Sequence, residues 1–229
     1  MKASDVMVSP VITLDSTATI GDVVQLLLKH GIGAVPVVDD QGQLMGMVSD
    51  GDLTHRCEIG THRQRSLLLR LLTEDSALAA DYIKTHATRV ADVMKRDVVV
   101  AAPETPLAEI AMMMEQHAIK RVPIVRAGKL VGIVSRANVV QAMATNGAKL
   151  EIPVADRALR YGLLAHLKSR AGVHIDLLNA TVNDGVVDLW GSSSSEAEKL
   201  AVRVAAEQTP GVRAVNNHIT VRHGPSPAA

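Results

Sequence analysis

Apolar residues recur along this chain with two periods, and the alternation between them outlines the fold. Ile20, Val23, Val24, Leu27 and Leu28 fall on one face at helical spacing, and Leu107, Ile110, Ala111 and Met114 do the same. Thr19 is placed to cap the first helix, and Pro106 suits the first turn of the second. A short apolar run precedes each helix, Val11 to Thr13 and Val98 to Val100, and reads as a strand. Two further short strands follow each helix around a Gly-containing turn. Ser49 and Ser135 then open another helix. The order β-α-β-β-α occurs twice and mixes hairpins with helical crossovers, so the expected class is α/β (α+β).

The likeness of the two segments extends to residue identity. Asp5-Val6-Met7 recurs as Asp92-Val93-Met94, and Ala34-Val35-Pro36-Val37-Val38 as Arg121-Val122-Pro123-Ile124-Val125. Gly42-Gln43-Leu44-Met45-Gly46-Met47-Val48-Ser49 recurs as Gly128-Lys129-Leu130-Val131-Gly132-Ile133-Val134-Ser135. The single residue lost between the copies lies in the hairpin turn, where a structural repeat tolerates it. The expected divisions are residues 1–55 and 90–145 for the repeats and 56–89 for a connector. Leu67, Leu68, Leu71, Leu72, Leu78, Ala79, Tyr82 and Ile83 keep helical spacing in that connector.

Residues 146–152 read as a linker, 153–223 as a second domain and 224–229 as a disordered tail. In the second domain a helix is expected over Asp156 to Ala171, bearing Leu159, Leu163, Leu164 and Leu167. Strands over Val173 to Val182 and Val186 to Trp190 flank the turn signal Asn183-Asp184-Gly185. Ser194 and Ser195 can cap a helix over Glu196 to Glu207, and a last strand ends near Arg222.

Composition narrows the function. Hydrophobic residues make up 47% of the 229 residues, yet Phe is absent and there are one Trp and two Tyr. The core must therefore be aliphatic, and aromatic platforms for stacked bases are lacking. Lys and Arg number 24 against 24 Asp and Glu, so there is no overall basic excess for a nucleic-acid duplex. The densest basic run, from His55 and Arg56 to Arg70, reads as a solvated helix face or a local anion site. One cysteine, Cys57, excludes an internal disulfide. No leader and no 18-residue apolar stretch are visible, which points to the cytoplasm. No G-x-S-x-G, phosphate-binding loop or HExxH element is present, so a catalyst is not expected.

The early D-V-M, the V-P-V-V strand and the element Gly46-Met47-Val48-Ser49-Asp50-Gly51-Asp52, matched by Gly132-Ile133-Val134-Ser135-Arg136-Ala137-Asn138, resemble the CBS domain over about residues 1–145. The residues Val182 to Gly191 and Pro210 to Asn217, in an α-β-β-α-β layout, resemble a BON domain. The whole chain is thus similar to bacterial CBS–BON proteins. The CBS resemblance implies a paired module, often dimerised again, that binds AMP, ADP, ATP or S-adenosylmethionine between its repeats as a regulatory ligand. It implies no required cofactor. The BON resemblance implies envelope or stress-response roles and a phospholipid or protein partner. The alternative is a structural or membrane-peripheral protein whose CBS clefts are empty.

The candidate ligand residues are Thr13, Ala34, Pro36, Ser49 and Asp52 in the first repeat, and Val100, Arg121, Pro123, Ser135, Arg136 and Asn138 in the second. A carboxylate or amide one helical turn after a serine can bond ribose hydroxyls, and apolar strand residues offer adenine a dry wall. Ser49 and Ser135 are also ordinary helix caps by residue type. Family analogy sets Arg121 and Arg136 toward phosphate, whereas surface solvation is their other reading. Val100 departs from the Thr that the first repeat has at the equivalent position, Thr13. Trp190 reads as an interfacial anchor or a half-buried strand residue. His218 and His223 are too scattered for a metal site.

Overall fold

The computed structural model describes residues 1–54, 86–146, 151–169 and 178–222. The expected connector helices, the basic run, Cys57, the first part of the Val173 to Val182 strand, most of the linker and the tail lie outside the described residues. In chain order the described elements are α1 (Ala3–Val6), β1 (Leu14–Asp15), α2 (Ile20–His30), β2 (Ala34–Val38), β3 (Leu44–Ser49), α3 (Asp50–Leu53), α4 (Val90–Val93) and α5 (Leu107–Gln116). They continue as β4 (Arg121–Arg126), β5 (Lys129–Ser135), α6 (Arg136–Asn146), α7 (Val154–Ser169), β6 (Asn179–Asn183), β7 (Val186–Ser193), α8 (Glu196–Glu207) and β8 (Ala214–Val221). The mixed α/β class is as expected. The chain divides into two units that cut across the repeat boundaries: Ile12–Val98 with Ala127–Leu130, and Met1–Val11 with Val99–Arg126 and Val131–Ala229.

In the unit beginning at Ile12, β1 runs parallel to β2, and β2 antiparallel to β3. The first strand was expected over Val11 to Thr13, but pairing occurs at Leu14 and Asp15, opposite Val37 and Val38. Only these two residues run alongside the edge of β2, while Ile12 packs its side chain on the core. Helix α2 begins where expected: Thr19 Oγ1 accepts from the Asp22 amide at 3.2 Å, and Asp22 returns the bond to the Thr19 amide at 2.8 Å. It ends at Gly31, whose φ of 58° closes the helix in the left-handed region. Ile20, Val23 and Leu27 are buried, but Val24 is 39% and Leu28 77% exposed. The apolar stripe is wider than the three-stranded sheet it covers, so its outer row is left uncovered. Short α4 supplies Val90 and Val93 to this core, and its C-cap residue supplies Met94. Lys95 and Met47 exchange backbone hydrogen bonds at 2.9 Å.

In the other unit α1 brings Ala3 and Val6 into one core with Leu107, Ile110 and Met114 of α5, Val122, Ile124, Val134 and Ala142. The second repeat's leading strand, expected over Val98 to Val100, is reduced to a parallel bridge from Ala101 to Ile124. Pro106 is the N-cap residue of α5, one position ahead of its first turn. Ala118 (φ 52°) stands where α2 has Gly31. The last domain follows the expected α-β-β-α-β order. Asp184 and Gly185 (φ 50° and 74°) form the two-residue turn joining β6 to β7, and β8 runs parallel to β7. Its aliphatic core holds Leu163 and Leu167 of α7, alternating residues of the sheet, and Val202, Ala205 and Ala206 of α8. Ser195 caps α8, accepting the Glu198 amide at 3.1 Å.

Candidate functional site

Each repeat builds the same polar lock at the start of the helix that follows its hairpin. In the first, Asp52 Oδ2 accepts from the Ser49 amide at 2.9 Å and from the Ser49 hydroxyl at 2.6 Å. Its other oxygen lies 3.1 Å from Lys95 Nζ, and the Asp52 side chain keeps 13% exposure. Ala34, buried, is paired with Ser49 across β2 and β3, and Pro36, also buried, is paired with Met47. The Asp50 amide donates to the Gly33 carbonyl at 3.0 Å, which fixes the helix start against the entry of β2. Thr13 is half-buried just ahead of β1.

In the second, Asn138 Oδ1 accepts from the Ser135 amide and hydroxyl, both at 2.8 Å, and the Asn138 amide N–H returns to Ser135 Oγ at 3.3 Å. The Arg136 amide donates to the Lys120 carbonyl at 3.1 Å, matching the Asp50–Gly33 bond of the first repeat. Pro123 is buried within β4, Arg121 is half-buried at its start, and Arg136 and Val100 are exposed. The capping role of both serine pairs is therefore realised. A close packing explains the glycine of each motif. A Cβ on Gly46 would lie 2.8 Å from the Lys95 carbonyl oxygen and from Met94 Sδ, and a Cβ on Gly132 would collide with Met7 Sδ. The methionine of each D-V-M segment sits on the glycine of the strand it serves.

Beyond the lock the two sites part. Asn138 is only 5% exposed, and its Nδ2 donates to Gln141 Oε1 at 3.2 Å. That oxygen also accepts from Asn179 Nδ2 at 3.2 Å. One turn further along α6, the Thr145 and Thr181 hydroxyls meet at 2.7 Å, and Asn183 Nδ2 donates to the Thr145 carbonyl at 3.2 Å. Positions 138, 141 and 145 share a helix face; positions 179, 181 and 183 share a strand face. The two polar faces form a seam between α6 and β6. Trp190 joins it by donating from Nε1 to Thr181 Oγ1 at 3.3 Å, and its ring stacks on His218 with centroids 4.0 Å apart. His218 Nε2 lies 2.9 Å from Asp188 Oδ1.

Arg160 of α7 is the residue that sequence reading missed. It is 4% exposed and donates to the carbonyls of Ala180 (2.6 Å), Ser4 (2.9 Å) and Met7 (2.8 Å) and to Asn179 Oδ1 (3.1 Å). Burial pushes its guanidinium down to about 10, partly offset by Tyr161 and Asp5, so it remains charged at neutral pH. One turn earlier, Arg157 grips Asp5 with two bonds, at 2.7 and 3.2 Å, and its pKa is raised by that hydrogen bonding and charge. The available sequence signal was an arginine among leucines on the apolar side of a helix. Among the described residues no His, Cys, Asp and Glu cluster suits a metal ion, and no helix is long and apolar enough to cross a membrane.

The family model for the CBS domain matches residues 3–58 and 90–145, and that for the BON domain residues 155–223. Protein MJ1426 of Methanocaldococcus jannaschii is 32% identical over 154 residues, 62% of this chain and 91% of its own. The CBS domain-containing protein YhcV of Bacillus subtilis is 33% identical over 131 residues, 57% of this chain and 77% of its own. The chloroplastic CBS domain-containing protein CBSX2 of Arabidopsis thaliana is 31% identical over 135 residues, 55% of this chain and 56% of its own. The crystal structure of CBSX2 in complex with AMP superimposes with a TM-score of 0.54 at 28% identity, over 62% of this chain and 96% of that one.

Proposed function

Starting from a chain that belongs to the CBS-domain family and carries a C-terminal BON domain, we propose that it is a non-catalytic regulatory sensor of an adenosine nucleotide, working in the cytoplasm. The observation that carries this reading is the twice-built serine lock. Each copy sets an oxygen-rich side chain and a serine hydroxyl at a helix start, beside a buried apolar strand. Asp52 and Asn138 would bond the ribose, with Ser49 and Ser135 beside them. Ala34, Pro36 and Pro123 would flank the base, together with Thr13 in one half-site and Val100 in the other. Arg121 at the start of β4, and Arg136 at the head of the eleven-residue α6, would meet phosphate. The AMP complex of CBSX2 supports the choice of ligand class. The BON domain, or a partner of it, would carry the response.

Calorimetry with AMP, ATP and S-adenosylmethionine tests this. Asp52→Ala removes a charged acceptor worth roughly 1.5–3 kcal/mol, so affinity at that half-site should fall about tenfold or more. Asn138→Ala should do less, and Arg121→Ala should weaken ATP more than adenosine. Unchanged affinity in both the Asp52 and Asn138 variants would mean that the ligand lies elsewhere.

We also propose a homodimer through the CBS helices. Leu28 of α2, Met112 of α5, and Val140 and Met143 of α6 are 52–77% exposed, an apolar surface that a second copy would cover. Sedimentation showing only monomer at tens of micromolar, where an ordinary interface is filled, would refute this.

A further inference from the structure

The second lock differs from the first in having no spare acceptor and almost no exposure. Both lone pairs of Asn138 Oδ1 are taken by Ser135, and its Nδ2 is held by Gln141. Gln141 Oε1 is in turn shared with Asn179 of β6, whose own oxygen is held by the buried Arg160. Asn138 Nδ2 keeps a second hydrogen besides the one given to Gln141, but a ligand that turns the side chain toward ribose draws Nδ2 away from Gln141, and that loosening is felt on the BON strand. Among the described residues Asp52 has a different partner: its second oxygen meets the 64% exposed Lys95 side chain.

We infer that Gln141 couples the second half-site to the BON domain: ligand on Asn138 and a closed α6–β6 seam oppose one another. This rests on the sensor reading above. Linkage makes the opposition reciprocal, so loosening the seam must tighten the ligand by the factor by which ligand loosens the seam. Gln141 acts as a positioning residue, presenting one oxygen to two amides, and needs no contact with the nucleotide. The Trp190 indole reports the state of the seam, because its N–H is bonded to Thr181 and Thr181 to Thr145. It is the one Trp of the chain.

The experiment uses the full chain with Asp52→Ala as background, AMP as probe, and two readouts, calorimetric affinity and Trp190 emission. Gln141→Ala should raise AMP affinity roughly three- to tenfold, the range expected from one neutral hydrogen bond. Asn179→Ala, which leaves α6 untouched, should act in the same direction and serves if the first variant does not fold. AMP should shift Trp190 emission in the Asp52→Ala protein. Affinity that is unchanged or lowered in the seam variants, or emission blind to AMP, overturns the coupling while leaving the sensor reading in place. So does AMP binding by the parent chain that vanishes entirely in Asp52→Ala, since the second half-site would then take no ligand. No AMP binding by the parent chain sinks the sensor reading itself, and the coupling with it.

Discussion

Asp5 and Asp92 occupy the same place in the two D-V-M segments, and they live in different surroundings. Asp5 is 2% exposed and bonded twice by Arg157, whereas Asp92 is exposed. The locks divide the same way: Asp52 looks toward an exposed lysine, and Asn138 toward a half-buried glutamine and the BON strand. Duplication preserved the capped helix start of each repeat and the glycine that lies under the other repeat's D-V-M methionine. It did not preserve what lies outside, because of the repeats only residues 1–11, 99–126 and 131–145 share a unit with the BON domain. A repeat in the sequence therefore predicts local geometry better than it predicts environment.

The sharpest way to break the comparison is Arg160→Met. The substitution takes this donor from three carbonyls and an amide oxygen, two of them buried, so unfolding free energy should drop by about 3 kcal/mol or more. Chemical denaturation measures it, and a loss under 1 kcal/mol would show that water replaces the guanidinium. Arg89→Met, at the exposed residue ahead of α4, should stay within about 0.5 kcal/mol.

The shared part of the motif should respond alike in both copies. Gly46→Ala and Gly132→Ala each force a methyl into occupied space and should cost about 1–3 kcal/mol. A cost confined to one of them would mean that the two glycines do different jobs.

Smaller effects come from the ends of the paired helices. Gly31→Ala should destabilise by about 1 kcal/mol, and Ala118→Gly should stabilise by a similar amount, because both positions hold a left-handed φ. Thermal melts of the pair should move in opposite directions.

The smallest difference concerns titration at the start of α2. Bonds from Thr19 hold the Asp22 carboxyl below its ordinary 3.8. A carboxyl depressed on folding contributes stability that is present above the unfolded value and lost as pH falls through the lower folded one. NMR titration should place its midpoint below 3.8. The cap of α2 should then weaken only in strong acid, while α5, opened by Pro106 with no side-chain cap, shows no matching transition.

Much of this was legible in the chain. The repeat, the hairpin at Asp184-Gly185, the Thr19 cap and α8 at Glu196–Glu207 follow from local chemistry and were found where expected. Strand β1 was displaced from Val11 to Thr13 because pairing depends on which residues reach β2, a matter of geometry rather than composition. The α6–β6 seam stayed hidden for a different reason. Asn179, Thr181 and Asn183 alternate with apolar residues, as a solvated strand face would, yet Asn179 and Thr181 are 3% and 2% exposed. Only the matching polar face of Asn138, Gln141 and Thr145 reveals that the two cover each other. Arg160 was illegible because its partners are mostly carbonyls, which every residue carries. The proposed ligand residues stand out in the sequence as a motif, and their proposed division into an open and a committed half-site does not.

The grip of α7 on the first residues also bears on how the protein is made. Ser4, Asp5 and Met7 are made before their partners Arg157 and Arg160, which come 152 to 156 residues later. At roughly 5–20 residues per second, that is a wait of about ten to thirty seconds. During it Ala3 and Val6 can dock on the second repeat as soon as that repeat emerges, but Asp5 has no counter-ion. This segment is thus fastened in two stages, first by apolar side chains and later by two arginines.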